Sequence, residues 1–212
     1  MERIICLLIG YLFGIIQTGF IYGKIKHIDI RKHGSGNAGA TNALRTLGWK
    51  AGATTFTGDA LKAVAAVLIA RLIFADSPEV MLLGLYAGMG VVLGHNYPFY
   101  LKFKGGKGIA STVGLMLATD PVIFLTILAI FLVIFLTSKY VSLGSLVCVL
   151  VFAVEFIIFG QMGKYGVDVN QLHEMYGLVI FLAALGWWRH RANIQRLLKG
   201  TENKINFSQI KK

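Results

Sequence analysis

The chain of 212 residues is 56% hydrophobic, with a mean hydropathy of +0.67. Soluble domains are usually about 45–50% apolar, so a soluble fold is excluded and the composition points to an all-α integral membrane protein. Lys and Arg outnumber Asp and Glu by 21 to 10 although only 15% of residues are charged, a balance that argues first for cytoplasmic loops facing anionic lipid, second for acidic substrates, and against nucleic acid. Cys6 and Cys148 fall in separate apolar runs with no Cys or His at metal-ligand spacing. They are read as packing residues, with no disulfide and no metal site expected.

The first apolar run, Ile4 to Tyr22, is long enough to cross a hydrocarbon core and lacks a small-residue cleavage site, so it is expected to be a retained span. A loop crowded with Lys24, Lys26, Arg31, Lys32, Arg45 and Lys50 follows, with Trp49 at its far end where an interfacial aromatic belongs. Span two is predicted over Ala51 to Phe74. It carries Asp59 and Lys62, which lie three residues apart on one helix face and read as a structural pair. Span three, Val80 to Leu93, leads into a second polar stretch at Gly94 to Gly108. Ile109 to Ala118 is short for a span before Asp120-Pro121 stops it. Pro121 to Leu136, Leu143 to Phe159 and Met175 to Trp188 complete the apolar runs. Gln161 to Glu174 reads as a polar connection and Arg189 onward as a basic tail.

Charge decides whether the short fourth segment spans. If it does, seventeen of the twenty-one Lys and Arg collect on one side: Lys24 to Lys50, Lys102 to Lys107, Lys139 and the tail from Arg189. Arg3 and Lys164 are left on the other side, with Lys62 and Arg71 inside span two. A re-entrant fourth segment would put the basic tail outside, against the positive-inside rule. The expected topology is therefore seven transmembrane helices in one polytopic domain over residues 1–212, amino terminus out and carboxyl terminus in.

This topology gathers three polar islands on the cytoplasmic face. The first, G-S-G-N-A-G-A-T-N-A-L-R from Gly34 to Arg45, mixes glycines with short hydrogen-bonding side chains, the composition of a loop whose N–H groups curl around an anion. It contains G-x-G-x-x-G at Gly34, Gly36 and Gly39, but a dinucleotide site needs a preceding strand. The second, Gly94 to Gly108, carries Lys102, Lys104 and Lys107. Lys104 and Lys107 flank Gly105-Gly106 and suit an anion, whereas Lys102 suits lipid headgroups and His95 suits fixing the loop. The third, Arg189 to Glu202, sets His190 and Asn193 on one helix face with Arg196 further along. Glu155 stands inside an apolar run with no partner legible in the sequence.

No His is followed five positions later by Asp, no single loop holds a Ser-His-Asp set, and no acidic cluster offers magnesium a site. The remaining chemistry is positioning and electrostatic stabilisation of phosphate groups at a membrane surface. S-G-N-A-G-A-T-N-A-L-R, G-H-N-Y-P-F-Y-L-K-F-K-G-G-K-G and H-R-A-N-I-Q-R-L-L-K-G-T-E together resemble the three signature segments of the bacterial PlsY acyl-phosphate:glycerol-3-phosphate acyltransferases. The order and topological side are the same, and the likeness runs through nearly the whole chain. Ser111 stands where that family usually has threonine, and the Gln161 to Glu174 connection is longer than its usual turn.

The resemblance implies a seven-helix enzyme of the bacterial cytoplasmic (inner) membrane that moves an acyl group from a long-chain acyl phosphate to the 1-hydroxyl of glycerol 3-phosphate. The products would be lysophosphatidic acid, in the first step of phospholipid synthesis, and inorganic phosphate. No cofactor, coenzyme A thioester or metal is implied. The expected partners are the two substrates, membrane lipid and a soluble enzyme that makes acyl phosphate. The catalytic residues implied are Ser35, Asn37, Lys104, His190 and Asn193. Gly36, Gly39, Thr41, Asn42, Arg45, Gly105, Gly106, Lys107 and Ser142 would bind substrate. The alternative is a membrane carrier for an organic phosphate or lipid precursor, which would need polar residues through both leaflets.

Overall fold

The computed structural model describes residues 1–206. The last part of the basic tail, residues 207–212, lies outside the described residues. The described residues are all-helical in their regular structure: α1 (Glu2–Gly14), α2 (Thr18–Ile25), α3 (Ala40–Leu47), α4 (Trp49–Ile73), α5 (Val80–Asn96), α6 (Ile109–Thr119), α7 (Pro121–Ser138), α8 (Val141–Gln161), α9 (Val169–Arg189) and α10 (Arg191–Leu198). Single 3-10 turns occur at Ile30–Lys32 and Phe99–Leu101. Among the described residues, four segments are long and apolar enough to cross a bilayer, namely Glu2–Ile25, Val80–Leu101, Pro121–Ser138 and Val141–Gln161. The protein is thus a multi-pass membrane protein.

Span one is not the continuous helix that its hydropathy suggests. It breaks after Gly14 and restarts at Thr18, with Gln17 extended at the joint. A broken helix frees backbone carbonyls, which in a bilayer must find partners inside the protein. The Lys62 ammonium donates to Gly14 O at 3.2 Å and to Ile16 O at 2.6 Å, and the Gln17 amide donates to His95 O at 3.0 Å. Asp59 neutralises Lys62 at 2.8 Å and accepts from the Thr18 hydroxyl at 3.0 Å. The Asp59–Lys62 pair is structural, as its spacing suggests, and both residues are buried.

The short fourth segment forms α6, whose 11 residues rise only about 16 Å. It packs chiefly on α4 and α5. Asp120 ends α6 and starts α7: its carboxylate accepts from Val122 N at 3.0 Å, with Pro121 in the first turn, where a missing N–H costs nothing. The polar connection before α9 is shorter than the sequence suggests. Asp168 caps the helix by accepting from the N–H groups of Asn170 and Gln171, so Val169 to Glu174 is already helical. The tail is likewise not a straight continuation, because α9 ends at Arg189 and α10 begins anew at Arg191.

The main core lies among α5 to α9, around Leu85, Leu115, Ile123, Phe152, Phe156 and Met175. Helices α1 and α5 approach closely through glycine. A Cβ at Gly10 would stand 1.9 Å from Ala87 O, and one at Gly90 would stand 2.2 Å from Leu7 O. Small residues are what let membrane helices touch backbone to backbone.

The ends of the bundle differ in kind. At one end Arg3 bridges Glu79 and Glu174, each at 2.7 Å, and Lys164 pairs with Asp120 at 2.6 Å. The two cations that the charge argument leaves on that side are therefore both neutralised. The three polar islands gather at the other end. Substituting Gly90→Leu is expected to drive α1 off α5 and destabilise the fold by at least ~1–3 kcal/mol, the usual cost of overpacking. Thermal unfolding in detergent, compared with Gly177→Leu, where nothing lies within 4 Å of the added Cβ, would measure it.

Candidate active site

The first island folds as a loop over the start of α3. Gly34 and Gly36 take positive φ values of 57° and 71°, which bend the chain back on itself. Asn42 holds the loop from inside: its amide donates to the carbonyls of Ile30, His33 and Asn37, and its Oδ1 accepts from Ser35 N at 2.8 Å. These bonds occupy its donors, so Asn42 shapes the loop and has no N–H left for a ligand. Asn37 Oδ1 accepts from Gly39 N at 2.9 Å, which sets Gly39 as the residue before α3. Ala40 and Thr41 line the cavity in the first turn of α3, where N–H groups lack intrahelical partners and an anion is favoured.

The second island is clamped from two sides. From α5, His95 O accepts from Gly106 N and Asn96 O from Gly105 N, each at 3.1 Å. From α9, the Arg189 guanidinium donates to the carbonyls of Gly105 and Gly106 at 3.2 and 2.7 Å. With the glycines held this way, Lys107 and the N-terminus of α6 project inward. Lys104 does not: it is exposed and stands off the cavity wall.

The third island centres on a residue that the sequence reading did not single out. Glu202 is 8% exposed, and it accepts from Asn193 Nδ2 at 2.8 Å, Arg196 Nε at 2.7 Å and Ser142 Oγ at 3.1 Å. Asn193 Oδ1 in turn accepts from the Lys107 ammonium. Beyond Glu202 the chain crosses the end of the bundle: Asn203 O accepts from Arg45 at 3.0 Å, and Ile205 N donates to Lys139 O at 3.0 Å. One signal was available in the sequence, since Glu202 is the lone acidic residue of that basic island.

These parts enclose a cavity of about 630 Å³. Its polar mouth takes Ser35, Thr41, Arg45, Lys107, His190 and Asn193, together with Asn37, Gly39, Asn42 and Ser142. Gly36, Gly105 and Gly106 are not on the wall and act through the loops they shape. The cavity then continues as an apolar slot between α4 and α7, past Phe56, Val113, Phe131, Ile127, Cys148 and Phe124. From Leu132 to Phe124 the slot follows α7 for about 12 Å at 1.5 Å per residue. No group of three or more His, Cys, Asp or Glu that could hold a metal occurs among the described residues.

The electrostatics favour an anion at the mouth. Burial lowers the Lys107 ammonium to about 8, with Glu202 opposing the shift. His190 is lowered to about 4 by burial and by the nearby Lys107, so it is neutral at pH 7. Its Nδ1 lies 2.8 Å from Gly186 O, and because a carbonyl only accepts, Nδ1 carries the hydrogen and Nε2 is left as an acceptor. Burial works to raise the Glu202 carboxyl, but hydrogen bonds from Asn193, Arg196 and Ser142 outweigh it and hold the group below the usual carboxylate value.

Fold and site together define a multi-pass membrane protein in which one cavity joins a cationic, N–H-rich mouth to an apolar slot. The glycerol-3-phosphate acyltransferase family profile matches residues 4–200. A "Glycerol-3-phosphate acyltransferase" of Clostridioides difficile (strain 630) is 48% identical over 209 residues, covering 95% of both chains. The enzyme of that name from Bacillus subtilis (strain 168) is 39% identical over 204 residues, covering 95% of this chain and 96% of the relative. The crystal structure of PlsY (YgiH), an integral membrane glycerol 3-phosphate acyltransferase, in its glycerol 3-phosphate form superposes with a TM-score of 0.84. It is 36% identical and covers 99% of this chain and 98% of that one. Its lysophosphatidic acid form gives 0.81 at 35% identity, with the same coverage. The chain belongs to the glycerol-3-phosphate acyltransferase family.

Lys107 is cationic below its lowered value and neutral above it. Affinity for sulfate, whose own charge is constant over this range, is therefore expected to fall by up to ~tenfold per pH unit above about 8. Lys107→Arg, which stays charged, should flatten the profile; calorimetric titration from pH 6.5 to 9.5 would show both.

Proposed function

We propose that this protein transfers the acyl group of a long-chain acyl phosphate to the 1-hydroxyl of glycerol 3-phosphate. The observation that carries the reading is the continuity of the cavity, which can hold a phosphate at its cationic mouth and an alkyl chain in its apolar slot at the same time. In this reaction the hydroxyl oxygen bonds to the acyl carbonyl carbon, the carbon–oxygen bond to phosphate breaks, and inorganic phosphate leaves. The hydroxyl proton departs with it, so no protein nucleophile is needed. Lysophosphatidic acid remains in the slot and reaches the bilayer.

In this proposal the N–H groups at the start of α3, with Ser35, Asn37 and Thr41, bind the acyl phosphate and stabilise the oxyanion that develops at the carbonyl. Arg45, Lys107 and Arg196 hold the phosphate of glycerol 3-phosphate. Asn193 and the acceptor Nε2 of His190 orient its hydroxyls. Ser142 contributes through Glu202, whose carboxylate keeps Asn193 and Arg196 in place. Lys107, which like Lys104 flanks Gly105-Gly106 and which lines the cavity, takes in this proposal the role that the resemblance implies for Lys104.

The accompanying topology is seven spans in one domain, amino terminus out and carboxyl terminus in, in the bacterial inner membrane. Acyl phosphate would arrive from a soluble enzyme on the cytoplasmic side. A carrier would need a polar path through the bundle, whereas the inner part of this cavity is lined by Phe124, Ile127 and Cys148.

Purified protein given acyl phosphate and glycerol 3-phosphate should release phosphate and lysophosphatidic acid in equal amounts. Arg45→Ala and Lys107→Ala are each expected to lower kcat/KM by ~10²–10³, the usual loss for one charge-stabilising donor. Absence of release with the unaltered protein, or efficient turnover with acyl-coenzyme A, would refute the reading.

A further inference from the structure

His95 sits where the buried charge pair meets the cavity. It is 3% exposed, it ends α5, and it contributes to the cavity wall together with Asp59. Its Nδ1 lies 3.0 Å from the Lys62 ammonium and 3.7 Å from Asp59 Oδ1. An ammonium has only hydrogens to give, so Nδ1 must be the acceptor and the ring proton must sit on Nε2. Lys62 cannot turn away, because its two other hydrogens are shared among Asp59 and the carbonyls of Gly14 and Ile16 freed by the break between α1 and α2.

The Nε2 side of the ring is also fixed in place. It packs under the Gly105-Gly106 turn so closely that a Cβ at Gly106 would stand 2.0 Å from Nε2. The turn itself hangs from the carbonyls of His95 and Asn96. No group among the described residues accepts a hydrogen bond from Nε2. This neutral donor, oriented by a charge pair beneath it, stands on the wall of a cavity that also presents the cations Arg45, Lys107 and Arg196, while the lining carboxylates Asp59 and Glu202 are engaged by Lys62 and by Arg196 and Asn193.

We propose that His95 is a substrate-binding residue, its Nε2–H donating to a phosphoryl oxygen held in the cavity, with Lys62 as the positioning residue that fixes the tautomer. This rests on the reading of the cavity as a phosphate site. It gives a role to three polar residues, Asp59, Lys62 and His95, beyond joining helices. A hydrogen bond of this kind costs little reorganisation when the ligand arrives, because the ring is already held at the Nδ1 and Nε2 edges. The phosphoryl oxygen could belong to acyl phosphate, to glycerol 3-phosphate or to the phosphate product. All three present the same acceptor.

The test combines spectroscopy with kinetics. In full-length protein carrying 15N-labelled histidine, with His95→Gln assigning the signal, His95 should show the Nε2–H tautomer. Its Nε2 and Hε2 resonances should move when inorganic phosphate is added. Lys62→Met should abolish the tautomer preference. His95→Gln, which keeps an N–H near the same place, is expected to retain activity within about fivefold, whereas His95→Leu should raise the KM of one substrate at least tenfold.

Varying acyl phosphate and glycerol 3-phosphate separately tells which phosphate it serves. Signals unmoved by phosphate, or an Nδ1–H tautomer, would overturn the proposal. So would unchanged KM values for both substrates in His95→Leu. Absence of turnover in the unaltered protein would instead defeat the acyltransferase reading, while a phosphate-dependent shift at His95 would still stand.

Discussion

A single ammonium group buried beside a broken helix is the constraint on which the rest of this structure depends. The break between α1 and α2 exposes the carbonyls of Gly14 and Ile16 where water is scarce, and Lys62 covers both. Burying a charge to do so is tolerable only because Asp59 neutralises it. The pair therefore commits α1, α2, α4 and, through His95, α5 to one arrangement. Removing one partner would leave the other charged and buried, typically a loss of about 3–5 kcal/mol.

The same arrangement directs polarity to one end of the bundle. Arg3 and Lys164 are used up in ion pairs at the opposite end. At the functional end Arg45 and Lys107 face a cavity, and Arg189 holds a loop by its carbonyls. The contrast is physical: paired charges fasten helices, and charges left facing a cavity can meet a ligand. Glu202 is intermediate, an anion spent on holding Ser142, Asn193 and Arg196 around the mouth.

Much of this is legible in the amino-acid sequence. The class followed from hydropathy, the helix positions from apolar runs, and the three islands from where glycine and charge concentrate. A local pattern, however, can have more than one tertiary use. Lys104 and Lys107 flank the same two glycines, and only the clamps from His95, Asn96 and Arg189 decide which one turns inward. Asn42 has the composition of a ligand donor, yet its amide is consumed by three carbonyls of its own loop. The break in the first span left no mark in hydropathy, because Ile15 and Ile16 keep the run apolar.

The sequence by itself determined that the chain is a helical membrane protein with its basic, glycine-rich segments at one face, because hydrophobic length and charge placement act locally and additively. Only the tertiary structure decided which of those polar groups stay available. That choice depends on partners far away in the chain: Glu202 for Ser142, Lys62 for His95, and Arg189 for the Gly105-Gly106 turn. A hydrogen-bonding group is functional or structural according to what already occupies it, and occupancy is a property of the fold.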